Sequence, residues 1–457
     1  MARRAAHSSP GFHLPGRAAS GWYRPGGDGY HRVAVDRKEK AGTRGAFGLG
    51  TRSEVHHAGR SRVLPRCHQE SLLSATGTHR RGRQVGTGHR RPEADRSSSD
   101  PRRLNRQMTE TAKPTIPESD WSSLLHDNSR TGGQGVRAAH APDRARWQIR
   151  VGSSIRSAPI LRNGMLYVTS LAGILQACDV ANGRQKWKFQ AADQVHSTPS
   201  LWGNKVLFGC DDGKVYAVDC DSGTKVWEAS SAAEVWTSPV VRNGVVFFGS
   251  ADAHMYAVEA KTGRARWTQE LGGRIYSTAF AAEKQLYVGC GDGKVYSLDI
   301  SSGKILWSTP TGNGIDSSPA VVANILLIGS EDFFVYAMDV NSGVVRWKYE
   351  TGLGIASSPA ASGDLAFIGS KDGYLYALEI QTGRLRWKAQ AGDVVTAPPV
   401  IGDGVVCIQA GGTFAFDIAT GNVVWKAGLA GAVQSVPVLT GDVIYLASND
   451  GEVYALE

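Results

Sequence analysis

The stretch YAVDCDSGTKVW, Tyr216 to Trp227, decides the fold because it returns along the chain. It reappears as YAVEAKTGRARW ending at Trp267, YSLDISSGKILW at Trp307, YAMDVNSGVVRW at Trp347 and YALEIQTGRLRW at Trp387. With Trp147, Trp187 and Trp425 the tryptophans form a ladder whose spacing is 40 residues six times and then 38. Self-similarity at such a period means units that cannot bury an apolar face alone and that stack on their neighbours, as in solenoids and propellers.

Each unit reads as four short strands. In TSPVVRNGVVFFGSADAHMYAVEAKTGRARW, residues 237–267, an extended run after Ser-Pro meets an Asn-Gly turn. A β-branched and aromatic run follows, then a second turn, MYAVE, a Thr-Gly turn and RARW. The Gly and Asn of these turns tolerate positive φ, which two-residue hairpin turns need. One late unit is two residues shorter in its second hairpin, AGGTF at 410–414 against SKDGYLY at 370–376, which accounts for the single spacing of 38. Eight Ser-Pro-type strands and eight Tyr-Ala-type strands occur, so the expected fold is all-β, an eight-bladed propeller of four-stranded antiparallel blades. The strand of Trp147 precedes the first Ser-Pro strand and no tryptophan strand follows Tyr454, so Trp147 is expected to complete the last blade and close the ring.

The repeated segment resembles the tryptophan-docking motif, A-x-[DE]-x-x-[ST]-G-x-x-x-W, of the pyrroloquinoline-quinone (PQQ) type propellers. Ala217, Asp219, Ser222, Gly223 and Trp227 match it, and the motif recurs at Ala257, Ser297, Ala337, Ala377 and Ala415. The resemblance implies that each indole stacks on peptide planes of the neighbouring blade; an aromatic ring supplies the burial and small residues let it approach the backbone. The Gly-His and Trp-Asp signatures of WD40 repeats, which share the period, are missing. DWSSLLHDNSRTG, 120–132, is similar to the lead-in before the first blade of such proteins.

The formal charge of +9 divides unevenly over the 457 residues. Residues 1–107 hold 22 Lys and Arg against 8 Asp and Glu, and residues 108–457 hold 29 against 34. The repeats therefore lack the phosphate-neutralising excess that nucleic-acid binding needs, and no nucleic acid is expected on the propeller. The first 107 residues, with 20 arginines, 2 lysines and 8 of the 12 histidines, show no strand or helix period and read as a disordered basic segment. The favoured reading is upstream sequence read through, with translation starting at Met108, over a basic tail for acidic partners. Residues 108–139 are the lead-in and 140–457 the propeller. No apolar run reaches the length of a membrane span, so none is expected. A charged start without an apolar core is no secretory signal, and six cysteines without a CxxC pair suggest no disulfide framework. The expected location is cytoplasmic, or periplasmic or extracellular if a signal precedes this start, and the expected state monomeric.

The resemblance extends to quinoprotein alcohol dehydrogenases, whose axial quinone and calcium rest on an adjacent Cys-Cys pair, a tryptophan floor, acidic and amide ligands and a catalytic Asp. This sequence has no Cys-Cys pair and no insertion between repeats, so neither PQQ nor calcium is supported by its residues. DCDSG, 219–223, reads as a plain turn, since its third position becomes Lys261, Ser301 and Asn341. The informative contrast lies just before each Ser-Pro. Ile155, Val195, Val235, Ile275, Ile315, Ile355 and Val395 keep one character, while their neighbours change from repeat to repeat. Alternation of two sends the constant set between blades and the varied set toward the axis or its mouth. The candidate binding face is the arc Arg156, His196, Glu234, Trp236, Arg274, Tyr276 and Asp316, with Gln434; Ala356 and Thr396 are bland by comparison. Phe333, where other hairpins have Gly, is a lesser candidate. The expected function is a non-catalytic module holding a protein segment or small ligand at the propeller mouth. The alternatives are a PQQ- and calcium-dependent dehydrogenase, and a relative of the outer-membrane β-barrel assembly lipoprotein.

Overall fold

A computed structural model describes residues 141–142, 144–402, 404–428, 435–441 and 443–457. The expectations for 1–107 and for the lead-in at 108–139 fall outside these residues. Every regular element among the described residues is a strand, and the strands form eight four-stranded sheets. Blades 1 to 7 run in chain order: 160–190, 200–230, 240–270, 280–310, 320–350, 360–390 and 400–427. The eighth takes its three inner strands from the end of the chain, Val438–Thr440, Val443–Ala447 and Glu452–Leu456. Its outer strand is Ala145–Arg150, antiparallel to Glu452–Leu456 with Trp147 opposite Ala455 and Arg150 opposite Glu452. The protein is an eight-bladed β-propeller, closed by the strand of Trp147.

The inner strands are shorter than the sequence suggests. Each begins directly after the Pro of the Ser-x-Pro triplet, at Ile160, Ser200, Val240, Ala320, Ala360, Val400 and Val438, because proline has no N–H to give a ladder. The fourth begins likewise at Phe280 although Ala279 replaces the proline, so the frame set by the other blades carries over. The alternating residues before the triplet therefore belong to a connecting segment rather than to a strand.

Two rings of contacts hold the blades together. In the outer ring the indole N–H of each tryptophan from Trp147 to Trp387 donates to a backbone carbonyl of the next blade, Trp147 to Val180 at 2.8 Å, Trp187 to Cys220 at 2.8 Å, Trp227 to Ala260 at 3.0 Å and onward to Trp387 with Ile418 at 2.9 Å. The motif glycine lies under the indole: a Cβ on Gly263, at φ +74°, would stand 2.7 Å from Trp227. In the inner ring the amide of the triplet's middle residue in blades 1 to 5 donates to a hydroxyl one blade on. Ala158 donates to Thr198, Thr198 to Ser238, Ser238 to Thr278, Thr278 to Ser318 and Ser318 to Ser358, at 2.9–3.1 Å. These bonds span 40 residues each, one full repeat, and place the inner strands around a common axis.

Candidate functional site

The alternation predicted before each triplet is present. Ile155, Val195, Val235, Ile275, Ile315, Ile355 and Val395 are wholly buried, while Arg156 and Trp236 are exposed and His196, Tyr276 and Asp316 half-buried. The connecting segments that carry them are tied down by the hairpins behind. Ser250 Oγ donates to Ala233 O at 3.0 Å, and Asp252 accepts from the Ala232 amide at 2.8 Å. The thiols of Cys210 and Cys290 fill the serine position and donate to Asp193 O and Gly273 O, at 3.4 and 3.2 Å. Burial pushes both thiols up to about 12, so they are neutral loop anchors rather than nucleophiles.

Held this way, three rings from successive blades stack. His196 lies 4.4 Å from Trp236 with planes 23° apart, and Trp236 lies 4.5 Å from Tyr276 at 18°. Arg274 places its guanidinium 5.2 Å from the Tyr276 ring centre, a cation–π contact. His196 Nε2 is 3.4 Å from Asp211, whose other carboxylate oxygen is buried without a protein partner. Burial raises the pKa of Tyr276 against the opposing pull of Arg274, and Glu234, Asp316 and Asp211 add to the rise. Burial and then Glu331 raise that of Asp316, and Glu331 pairs with Lys371 at 2.6 Å.

Of the expected arc, His196, Trp236, Tyr276 and Arg274 are in contact, and Arg156, His196 and Trp236 line a cavity of about 290 Å³. The cavity lies on the axis, since its other walls are Thr198, Ser238 and Thr278 of blades 2 to 4 and Thr396, Ala397, Pro398 and Val436 of blades 7 and 8. Thr396, read as bland, lines this cavity too: the axis brings distant blades face to face, which a comparison of neighbours does not show. Gln434 lies outside the described residues. Glu234 and Asp316 reach the arc through their fields on Tyr276 rather than as cavity walls. Phe333 is 42% exposed at φ +78°, on the hairpin that carries Glu331.

Sequence comparison missed Asp211, Glu331 and Lys371. All three follow the buried Ser or Cys of a hairpin, a position that runs Leu171, Asp211, Ala251, Gly291, Glu331, Lys371, as varied as the positions that were noticed. The amides of Asp211, Glu331 and Lys371 donate to Gln194, Gly314 and Gly354, which brings this second varied set beside the first.

Trp236 has His196 on one side and Tyr276 on the other, from the flanking blades, so its indole offers an edge and no free face. Among the described residues no three His, Cys, Asp or Glu side chains converge as metal ligands would, and the five described cysteines are buried and free.

Comparison with known proteins agrees with the architecture. The chain matches the structure of BamB from Moraxella catarrhalis with a TM-score of 0.61 at 19% identity, over 69% of this chain and 99% of that one. It matches quinohemoprotein alcohol dehydrogenase from Comamonas testosteroni with a TM-score of 0.64 at 15% identity, over 74% and 80%. A computationally designed protein, Ika8, aligns with a TM-score of 0.61 at 18% identity, over 67% and 97%. At such identities the likeness is one of fold. No curated protein sequence matches. The profile of a PQQ-type repeat family, described as outer membrane protein assembly factor BamB, matches residues 128–276 and 251–457, most of the chain, and the protein belongs to that family.

Proposed function

We propose that this protein is a non-catalytic binding module that holds a protein segment or small ligand at the mouth of its axial channel. The observation that carries this is the stack of His196, Trp236 and Tyr276 beside an axial cavity of about 290 Å³. Clustered aromatics flanked by charges of both signs are the composition of binding hot spots, where Trp, Tyr and Arg dominate. The family description, an assembly factor, supports a protein partner. The covered indole, and the want of converging ligands among the described residues, weigh against a quinone enzyme.

The test compares partners captured by the wild type and by a Trp236→Ala, Tyr276→Ala variant of equal thermal stability. A partner held by the wild type and lost by the variant supports the module; identical partner lists count against it. Titration with PQQ and calcium, followed by a dye-linked alcohol oxidation assay, separates the enzyme alternative, since saturable binding with turnover would overturn the proposal.

A further inference from the structure

The inner ring has a feature beyond its structural role. The triplet's middle position is Ala158, Thr198, Ser238, Thr278, Ser318, Ser358, Pro398 and Val436 from blade 1 to blade 8. Hydroxyls therefore occupy five consecutive blades, and apolar residues occupy the remaining three. The two arcs face each other across the axis, and the cavity is lined by both.

On the polar arc each hydroxyl oxygen accepts an amide hydrogen from the preceding blade. A hydroxyl has one hydrogen to give, and among the described residues Thr198 and Ser238 donate theirs to no protein acceptor. Both are more than nine-tenths buried, 6% exposed each, and both line the cavity. An N–H bound to a hydroxyl oxygen polarises the O–H, so the pair offers strengthened donors to whatever lies on the axis. Arg156 stands at the rim of the same cavity, and no described lining residue is a carboxylate. Hydroxyl donors on one side, Ala397, Pro398 and Val436 on the other, and the Arg156 cation on blade 1 between blades 8 and 2 define an amphipathic anion site.

We infer that the axial cavity binds a carboxylate carried on a small aliphatic body, its oxygens on the Thr198 and Ser238 hydroxyls and Arg156, its body against Pro398 and Val436. A phosphate dianion would meet a single formal cation and leave the apolar arc unused. The volume, at the lower end of ligand pockets, suits a short chain. A free acid and the C-terminal residue of a polypeptide share this chemistry. The inference rests on the mouth as a binding site and names what enters it.

The test is calorimetric titration of the full chain with 4-methylpentanoate, 4-methylpentan-1-ol and inorganic phosphate, and with a pentapeptide ending in leucine as free acid and as amide. Saturable binding of the acid, with the alcohol and phosphate weaker by about tenfold or more, is the expected result, as a hydrogen-bonded charge warrants. Binding of the peptide acid but not its amide identifies a polypeptide C-terminus as the source; binding of 4-methylpentanoate alone identifies a free acid. Arg156→Gln, at an exposed site, weakens carboxylate binding by a similar factor, and so does Ser238→Ala, with melting temperature recorded for each. Carboxylates without saturable heat, an alcohol or amide that binds as well as the acid, or an unchanged affinity in Arg156→Gln overturns the inference. If partner capture depends on Trp236 and Tyr276 while carboxylates are ignored, this inference falls and the binding module stands. If carboxylates bind while the partner list is unchanged in the double variant, the carboxylate site stands and the aromatic stack is not what holds a partner.

Discussion

At the scale of single residues, the repeat's tryptophan and glycine form one joint. Trp227 is buried, donates its indole N–H to Ala260 O, and covers Gly263. Trp227→Ala is expected to destabilise by about 3–5 kcal/mol, the cost of emptying a large buried site. Gly263→Ala combines a φ of +74° with a Cβ 2.7 Å from the indole, whereas Gly244→Ala has a similar φ of +73° and open space around its Cβ. The first should therefore cost several kcal/mol and the second about 1–2 kcal/mol, the left-handed strain alone. Urea unfolding midpoints measure the difference, and equal losses would show that contact with the indole is immaterial. The joint was legible because it repeats. The varied residues Arg156, His196, Trp236 and Tyr276 were legible for the opposite reason, since departure from a constant frame marks them. Thr198 and Ser238 were not, because their hydroxyls look like part of the frame until their hydrogen bonds are seen.

At the scale of the element, the strand Ala145–Arg150 has two tasks. It completes the eighth sheet by pairing with Glu452–Leu456, and its Trp147 docks on blade 1 through Val180. Deleting residues 140–150 would leave the strand Glu452–Leu456 as a bare edge beside a Gly183 no longer covered by Trp147. Such edges invite pairing with other chains. The expected outcome is a melting temperature lowered by many degrees together with concentration-dependent aggregation; an unchanged melting temperature would refute the closure. The strand was recognisable from counting, as the unmatched member of eight Trp strands. The connecting segments were less so, because proline delays each inner strand by removing a ladder donor, and the site residues sit in the delay.

At the scale of the whole molecule, the hairpins set a pH window. Tyr256, Tyr296, Tyr336 and Tyr376 each donate to the aspartate four residues before them, and burial followed by that carboxylate raises their pKa above the usual value of 10.0. A folded pKa above the unfolded one gives stability that is complete below the unfolded value and lost as pH rises through the folded value. On the acid side Arg346 holds Asp339, and Arg384 holds Glu379, at about 2. Such depressed groups stabilise above the ordinary carboxylate range and lose that contribution as pH falls through the folded value. Both carboxylates are half-buried but their arginine partners are exposed, and screening keeps the acid effect small. The melting temperature should therefore be level from about pH 5 to 9 and fall most steeply above about 10. A profile flat between pH 9 and 11 would contradict this, and Tyr376→Phe should flatten the alkaline limb slightly.

What the sequence by itself determined is the fold. A period of 40 residues, a tryptophan that needs a neighbour's glycine and an unmatched first strand admit one architecture, because each is a local pattern whose burial requires the next copy. What only the tertiary structure decided is the site. Closing the ring sets Thr198 and Ser238 opposite Pro398 and Val436, residues some two hundred positions apart, while the hairpin of blade 2 brings Asp211 onto His196. The repeat makes adjacent blades comparable in sequence, but only a closed circle makes opposite blades meet.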